Sequence, residues 1–198
     1  MTKKADTGKS EVVIGDVEML RAISEPLRLK ILDLASADPD RSWTAKELAA
    51  RLAAKQTKLY HHLGILETHG FLRVAETRLV SGILEKRYAA TGRSFRLDRR
   101  LIGSGEEGAA ALGGALEAVF ETVLDDISTG IRAGTIDPDT DPPSPRSMAI
   151  WTGSARLSPA SVRKVLRQIK RLAEFDERDE PDGTDYGFIV GFYPRADR

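Results

Sequence analysis

No cysteine occurs anywhere in the 198 residues. That absence excludes disulfide frameworks, thiolate metal sites and cysteine nucleophiles. Aromatic side chains are scarce, at 6%, so any core must be assembled from Leu, Ile, Val and Ala. No run is apolar enough to cross a membrane, and no membrane partner is expected. Met1 to Ser10 lacks the apolar segment of a secretory signal. Residues 1–15 are therefore expected to be a disordered tail, on a cytoplasmic protein.

Loops and elbows that carry chemistry are missing too. Gly103-Ser104-Gly105 and Gly113-Gly114 are too sparse for a phosphate loop, and no Lys-Ser/Thr pair follows them. Ser94, Ser104 and Ser154 lack a nucleophile-elbow context. Asp125 and Asp126 are adjacent, so they diverge on a helix and do not converge on a substrate. The sequence thus points away from an enzyme, and it implies no cofactor.

Net charge is zero, but its distribution is uneven. From Arg21 to Arg100 there are 16 basic and 9 acidic residues, a surplus of +7, which the rest of the chain balances. A basic first half suits a phosphate-binding surface, because neutralised phosphates release counterions. A solvated basic face is the bland alternative.

Periodicity predicts α+β architecture, mainly helical. Asp16–Ile23 reads as a short helix capped by Asp16. A second helix opens at Pro26, where a missing amide hydrogen costs nothing, and carries Leu27, Ile31 and Leu34 at helical spacing. Asp38-Pro39-Asp40 marks a turn. Thr44-Ala45-Lys46-Glu47 fits a capping box for a third helix. A fourth runs from about Lys55 to His69 with Leu59, Leu63 and Leu66 as its buried stripe, and Gly70 is placed to end it. Phe71–Thr77 and Ile83–Ala89 are strand-like around Ser81-Gly82, giving a β-hairpin with basic residues near its tip.

Beyond Gly103 the composition changes. A long helix, residues 104–136, carries Leu112, Leu116, Val119, Val123, Ile127 and Ile131 on one face. Asp137–Pro145 reads as an exposed linker. Residues 146–198 read as a small strand-helix-strand region. Ser147–Leu157 is the first strand, and the helix starting at Ser158-Pro159 buries Val162, Val165, Leu166, Ile169 and Leu172. Glu174–Asp185 is an acidic loop, and Tyr186, Phe188, Val190 and Phe192 alternate as the last strand.

Helix, helix, capped helix, tight turn, helix and hairpin is the plan of a winged helix-turn-helix, here residues 16–100. A reading helix must present polar side chains at its N-terminal end and bury an apolar stripe behind them. Lys55, Gln56, Thr57, Lys58, Tyr60 and His61 are the candidate front. Gln56 can pair with adenine through two hydrogen bonds; Lys58 suits guanine or a phosphate, and Thr57 a thymine methyl. Arg73, Arg78, Lys86 and Arg87 are hairpin candidates for the DNA backbone or minor groove.

Three stretches carry a family resemblance. They are Leu20–Leu34 (LRAISEPLRLKILDL), Glu47–Leu52 (ELAARL) and Tyr60–Leu72 (YHHLGILETHGFL), with Gly82–Ala90 (GILEKRYAA) as the returning wing strand. Over residues 16–100 the chain resembles ArsR-type winged helix-turn-helix regulators. The resemblance implies a homodimeric repressor on near-palindromic operator DNA. It implies groove-facing roles for Lys55, Gln56, Thr57, Lys58, Tyr60 and His61, and wing roles for Arg78, Lys86 and Arg87. Well-known members sense metals through cysteine or paired acid and histidine ligands. This chain departs from them: it has no cysteine and three histidines, all on the fourth helix. Thiolate metal sensing is thus not expected, and no metal site is assigned.

Other readings stay open at this point. His62 and His69 share a face with Leu59 and Leu66 and are expected to be packed, hydrogen-bonded histidines. Trp43 reads as a hydrophobic staple. Trp151, Tyr186, Phe188 and Phe192 fit a core or dimer interface, or a small-molecule effector pocket between the last strands and the long helix. The rival to an operator-binding regulator is a winged-helix protein-interaction module, which would show an apolar fourth-helix surface.

Overall fold

A computed structural model describes residues 11–38, 40–80, 82–102, 105–173 and 186–195. The expectations for Met1–Ser10, Pro39, Ser81, Gly103, Ser104 and Glu174–Asp185 lie outside them. The elements are β1 (Glu11–Ile14), α1 (Val17–Ala22), α2 (Pro26–Ala37), β2 (Trp43–Thr44), α3 (Ala45–Arg51), α4 (Gln56–Thr68), β3 (Leu72–Val80), β4 (Ile83–Ala90), β5 (Ser94–Leu97), α5 (Arg99–Ile102), α6 (Gly105–Ala133) and α7 (Pro159–Ala173). The chain divides into two units, 1–124 and 125–198. The fold is α+β and mainly helical, as expected.

In the first unit several helix ends have a local cause. Asp16 Oδ1 accepts from the Met19 amide at 2.7 Å and caps α1. Glu25 caps α2, whose first residue is Pro26. Thr44 and Glu47 close the expected capping box reciprocally, at 3.1 and 2.7 Å. The chain leaves α4 through a Schellman motif. Gly70 adopts φ +74°, and the Gly70 and Phe71 amides donate to the Glu67 and Leu66 carbonyls. Leu66 and Phe71 are both fully buried there.

The turn between α3 and α4 uses the same device with a different residue. Ala53 sits at φ +49°, while the Ala54 amide donates to Ala49 O. A side chain in this left-handed region costs roughly 1–2 kcal/mol. Glycine would relieve that strain but lose more entropy on folding. Ala53→Gly is therefore expected to raise stability by less than about 1 kcal/mol, read as a higher urea midpoint at constant slope.

The sheet order is β2-β4-β3, all antiparallel. A register shift between Val74 and Glu76 bends β3. Both hairpin strands outrun the core. The main cluster joins Leu20, Ile31, Leu32, Trp43, Leu48, Leu59, Leu63, Leu66, Phe71 and Tyr88. Trp43 is buried, and the Arg41 guanidinium stacks 3.6 Å from its ring centroid. On α6, Gly108, Ala111, Ala115 and Ala118 are buried, while Leu116, Phe120 and Leu124 are exposed.

Two sequence expectations need correction. The expected tail is partly ordered: Glu11–Ile14 pairs in parallel with β5, Val12 opposite Phe95, and Ile14 is buried. Val12, Val13 and Ile14 supply β-forming side chains, but their partner lies some eighty residues away. In the second unit α7 forms, begun by Ser158, whose Oγ accepts the Ser161 amide at 3.2 Å. The flanking runs Ser147–Leu157 and Tyr186–Phe192 are not strands among the described residues. Alternation supplies two faces, yet a strand also needs a partner ladder. From Ala149 to Leu157 and over Tyr186–Phe192 the side chains are exposed, Trp151 at 87%.

His62 is buried as expected, but its Nδ1 makes no hydrogen bond among the described residues. It stands 3.6 Å from Glu25 Oε2. Burial lowers its pKa from the ordinary 6.5; Glu25 opposes this, while Arg28, Lys58 and His61 add to it. Between the folded and unfolded values the unfolded chain binds more protons, so stability falls as pH drops below about 6.5. Thermal unfolding over about pH 5–7 is expected to show this decline, and His62→Leu to flatten it.

Candidate nucleic-acid interface

Helix α4 sorts its side chains in the way a reading helix requires. Leu59, His62, Leu63 and Leu66 are buried. Lys55, Gln56, Thr57, Lys58, Tyr60 and His61 are all exposed. The segregation follows from the 3.6-residue period: the apolar stripe fixes one face against the core, and the polar residues occupy the remainder. The surface is polar and carries two lysines, so the apolar front required by a protein-interaction module is not there. Lys55 is the N-cap residue, and its side chain makes no capping bond.

Two members of this front are coupled. Gln56 Nε2 donates to the Tyr60 hydroxyl at 2.8 Å, one helical turn away. The contact restrains the Gln56 amide and leaves its carbonyl oxygen and second N–H for a base edge. Tyr60 therefore helps position Gln56. The sequence spacing i, i+4 holds this signal, because such residues are neighbours on a helix.

The wing residues differ from one another. Arg78 is exposed near the tip, with Nε 2.5 Å from Glu76 Oε1. That bond holds the Glu76 carboxyl below its usual range. Between two exposed groups the pair is weak and a phosphate can replace it. Lys86 Nζ lies 3.1 Å from Glu67 Oε2 of α4, which raises the Lys86 pKa. Arg73 is exposed on β3.

Arg87 is placed differently. Its Nη2 donates to Ser42 O at 2.6 Å and its Nε to Ser42 Oγ at 3.0 Å. The same Nη2 stands 3.3 Å from Glu47 Oε2, and the side chain is half-buried. Arg87 thus ties β4 to the capping box that starts α3. The Glu47 carboxyl is held below its usual range, chiefly by the Thr44 amide and further by Arg87. Sequence adjacency sets Arg87 beside Lys86 and does not show partners that lie forty and forty-five positions away.

Among the described residues, no group of three or more His, Cys, Asp or Glu is placed to hold a metal ion, and no helix is long and apolar enough to cross a membrane.

Residues 23–75 match a family described as a helix-turn-helix domain. Among solved structures, reduced HlyU from Vibrio cholerae N16961 is 25% identical to this chain, covering 48% of it and 79% of that chain, with a TM-score of 0.29. No curated protein matches the sequence. The chain contains a helix-turn-helix domain, a DNA-binding module of transcription regulators.

Proposed function

We propose that the chain is a sequence-specific transcription regulator of the ArsR type, a cytoplasmic dimeric repressor that binds duplex operator DNA without thiolate metal sensing. The observation that carries this reading is the exposed polar front of α4, backed by a fully buried leucine stripe. Lys55 and Lys58 approach phosphates or guanine, Gln56 an adenine edge, Thr57 a thymine methyl, and Tyr60 and His61 the groove wall. Arg78 and Lys86 contact the flanking backbone after releasing Glu76 and Glu67. Arg87 acts one step back, holding the wing against α3.

A dimer follows from symmetry: two reading helices about 34–36 Å apart meet successive turns of one duplex face. The exposed Leu116, Phe120 and Leu124 of α6, spaced four apart, suit packing against a second copy. The exposed runs at Ser147–Leu157 and Tyr186–Phe192 suit the same purpose, since a partner copy can supply the missing ladder. We assign residues 16–100 to DNA, 104–136 to dimerisation and 146–198 to dimerisation or an effector. The absence of cysteine supports regulation by something other than a thiolate-bound metal. An effector would act by favouring one separation of the two reading helices over another.

Selection of bound sequences from a random duplex pool tests the reading. Enrichment of a near-palindrome supports it, and the spacing of its halves reports the dimer geometry. Binding that enriches nothing, or no binding at low salt, overturns it.

A further inference from the structure

The wing has an apolar tip. Leu79 and Leu84 face each other across β3 and β4 and are 74% and 63% exposed. Cross-strand partners share a face, and alternate residues stay on it. Leu84 therefore lies on the same side of β4 as Lys86 and Tyr88. Tyr88 is buried and stands opposite Val74 and Trp43, so this is the core-facing side of the sheet. It continues past the end of the core for one more apolar pair, which none of the described residues covers.

The charge on the two sides differs. Beyond Tyr88, the core-facing side carries Thr77, Lys86, Leu79 and Leu84, with no acidic residue. Its other side carries Glu76 and Glu85 as well as Arg87 and Arg78. The strands themselves add no carboxylate on the leucine side, and the Glu67 carboxylate that α4 brings to it is paired with Lys86. Lys86 on that side reaches Glu67 of α4, so the leucine pair projects from the face turned toward the reading helix. The strands close at Gly82, whose φ of +79° permits a tight turn and a narrow tip.

We propose that Leu79 and Leu84 form a wedge that enters the minor groove of duplex DNA beside the major groove read by α4, partly unstacking one base step. The inference rests on the operator-binding reading above. Inserted leucines are an established means of prising apart a base step and bending the duplex. Two leucines also fit a base step better than a protein partner. A stable protein interface buries about 800 Å² on each side, far more than two side chains supply. Lys86 stands behind the pair, placed to meet the phosphate backbone at the groove edge once the tip is inserted.

The test uses the duplex that the full-length wild-type protein enriches, with 2-aminopurine placed in turn at each step flanking the half-sites. Wild-type binding is expected to brighten the probe at one step, since unstacking relieves quenching. The Leu79→Ser/Leu84→Ser protein should bind about tenfold more weakly and leave the probe dim, with an unchanged melting curve for the protein alone. Leu79→Phe should keep the signal. Equal affinity and equal brightness for the serine variant overturn the wedge while leaving the operator reading intact. A serine variant that sediments as monomer where the wild type is dimeric, with the probe unchanged, assigns the tip to a second copy and likewise overturns it. If no duplex is enriched, both inferences fail.

Discussion

Phe71→Ala is expected to cost about 3–5 kcal/mol of unfolding free energy, a large share of the 5–15 kcal/mol typical of a domain. Three structural facts combine at this residue. Its side chain is fully buried. Its ring meets Phe95 edge to face, with centroids 5.5 Å apart, and such a pair contributes beyond burial alone. Its amide closes the Schellman motif of α4, and its carbonyl accepts both the Thr91 amide and hydroxyl, at 3.0 Å each. The substitution keeps the backbone bonds but removes the ring between α4 and β5. Phe71→Leu should lose much less, because it leaves a smaller cavity. Equilibrium urea denaturation checks both; a loss below 1 kcal/mol for alanine would mean the site collapses around the void.

The second large effect concerns recognition. Gln56→Ala is expected to weaken operator binding by about 1–3 kcal/mol, roughly fivefold to 150-fold, and to relax preference at one base pair. Affinity for random duplex should hardly change, because that binding comes from phosphate contacts. The structure adds a companion expectation. Tyr60→Phe deletes the acceptor at 2.8 Å and leaves the Gln56 amide to wander. It should therefore produce a smaller loss at the same base pair. Titrations on operator and random duplex at one salt concentration separate the outcomes. Equal loss on both would remove Gln56 from base reading.

The two halves of the chain were not equally legible from sequence. Helix α4 was legible because Leu59, Leu63 and Leu66 repeat at helical spacing and Gly70 supplies the left-handed residue a Schellman motif favours. The capping box at Thr44 and Glu47 was legible because it is local. What escaped depends on distant partners. The strand at Glu11–Ile14 becomes one through β5, and Ser94–Leu97 is too short to announce itself. In sequence Arg87 is one more wing cation; only the fold sets Ser42 and Glu47 beside it. The apolar tip was hidden for another reason: Leu79 and Leu84 look like ordinary strand residues, and only the end of the core makes them unusual. At Tyr186–Phe192 alternation is real, but neither it nor Ser147–Leu157 has a pairing strand among the described residues.

The seam between α6 and its own domain is built from Gly108, Ala111, Ala115 and Ala118. Such residues have almost no side-chain conformations to freeze, and they let two backbones come close. Gly114 shows how close: a methyl group added there would touch the Ser24 side chain at 3.6 Å. Seating this helix therefore demands little ordering of side chains, and its bulky leucines and phenylalanine are left over for whatever arrives from outside.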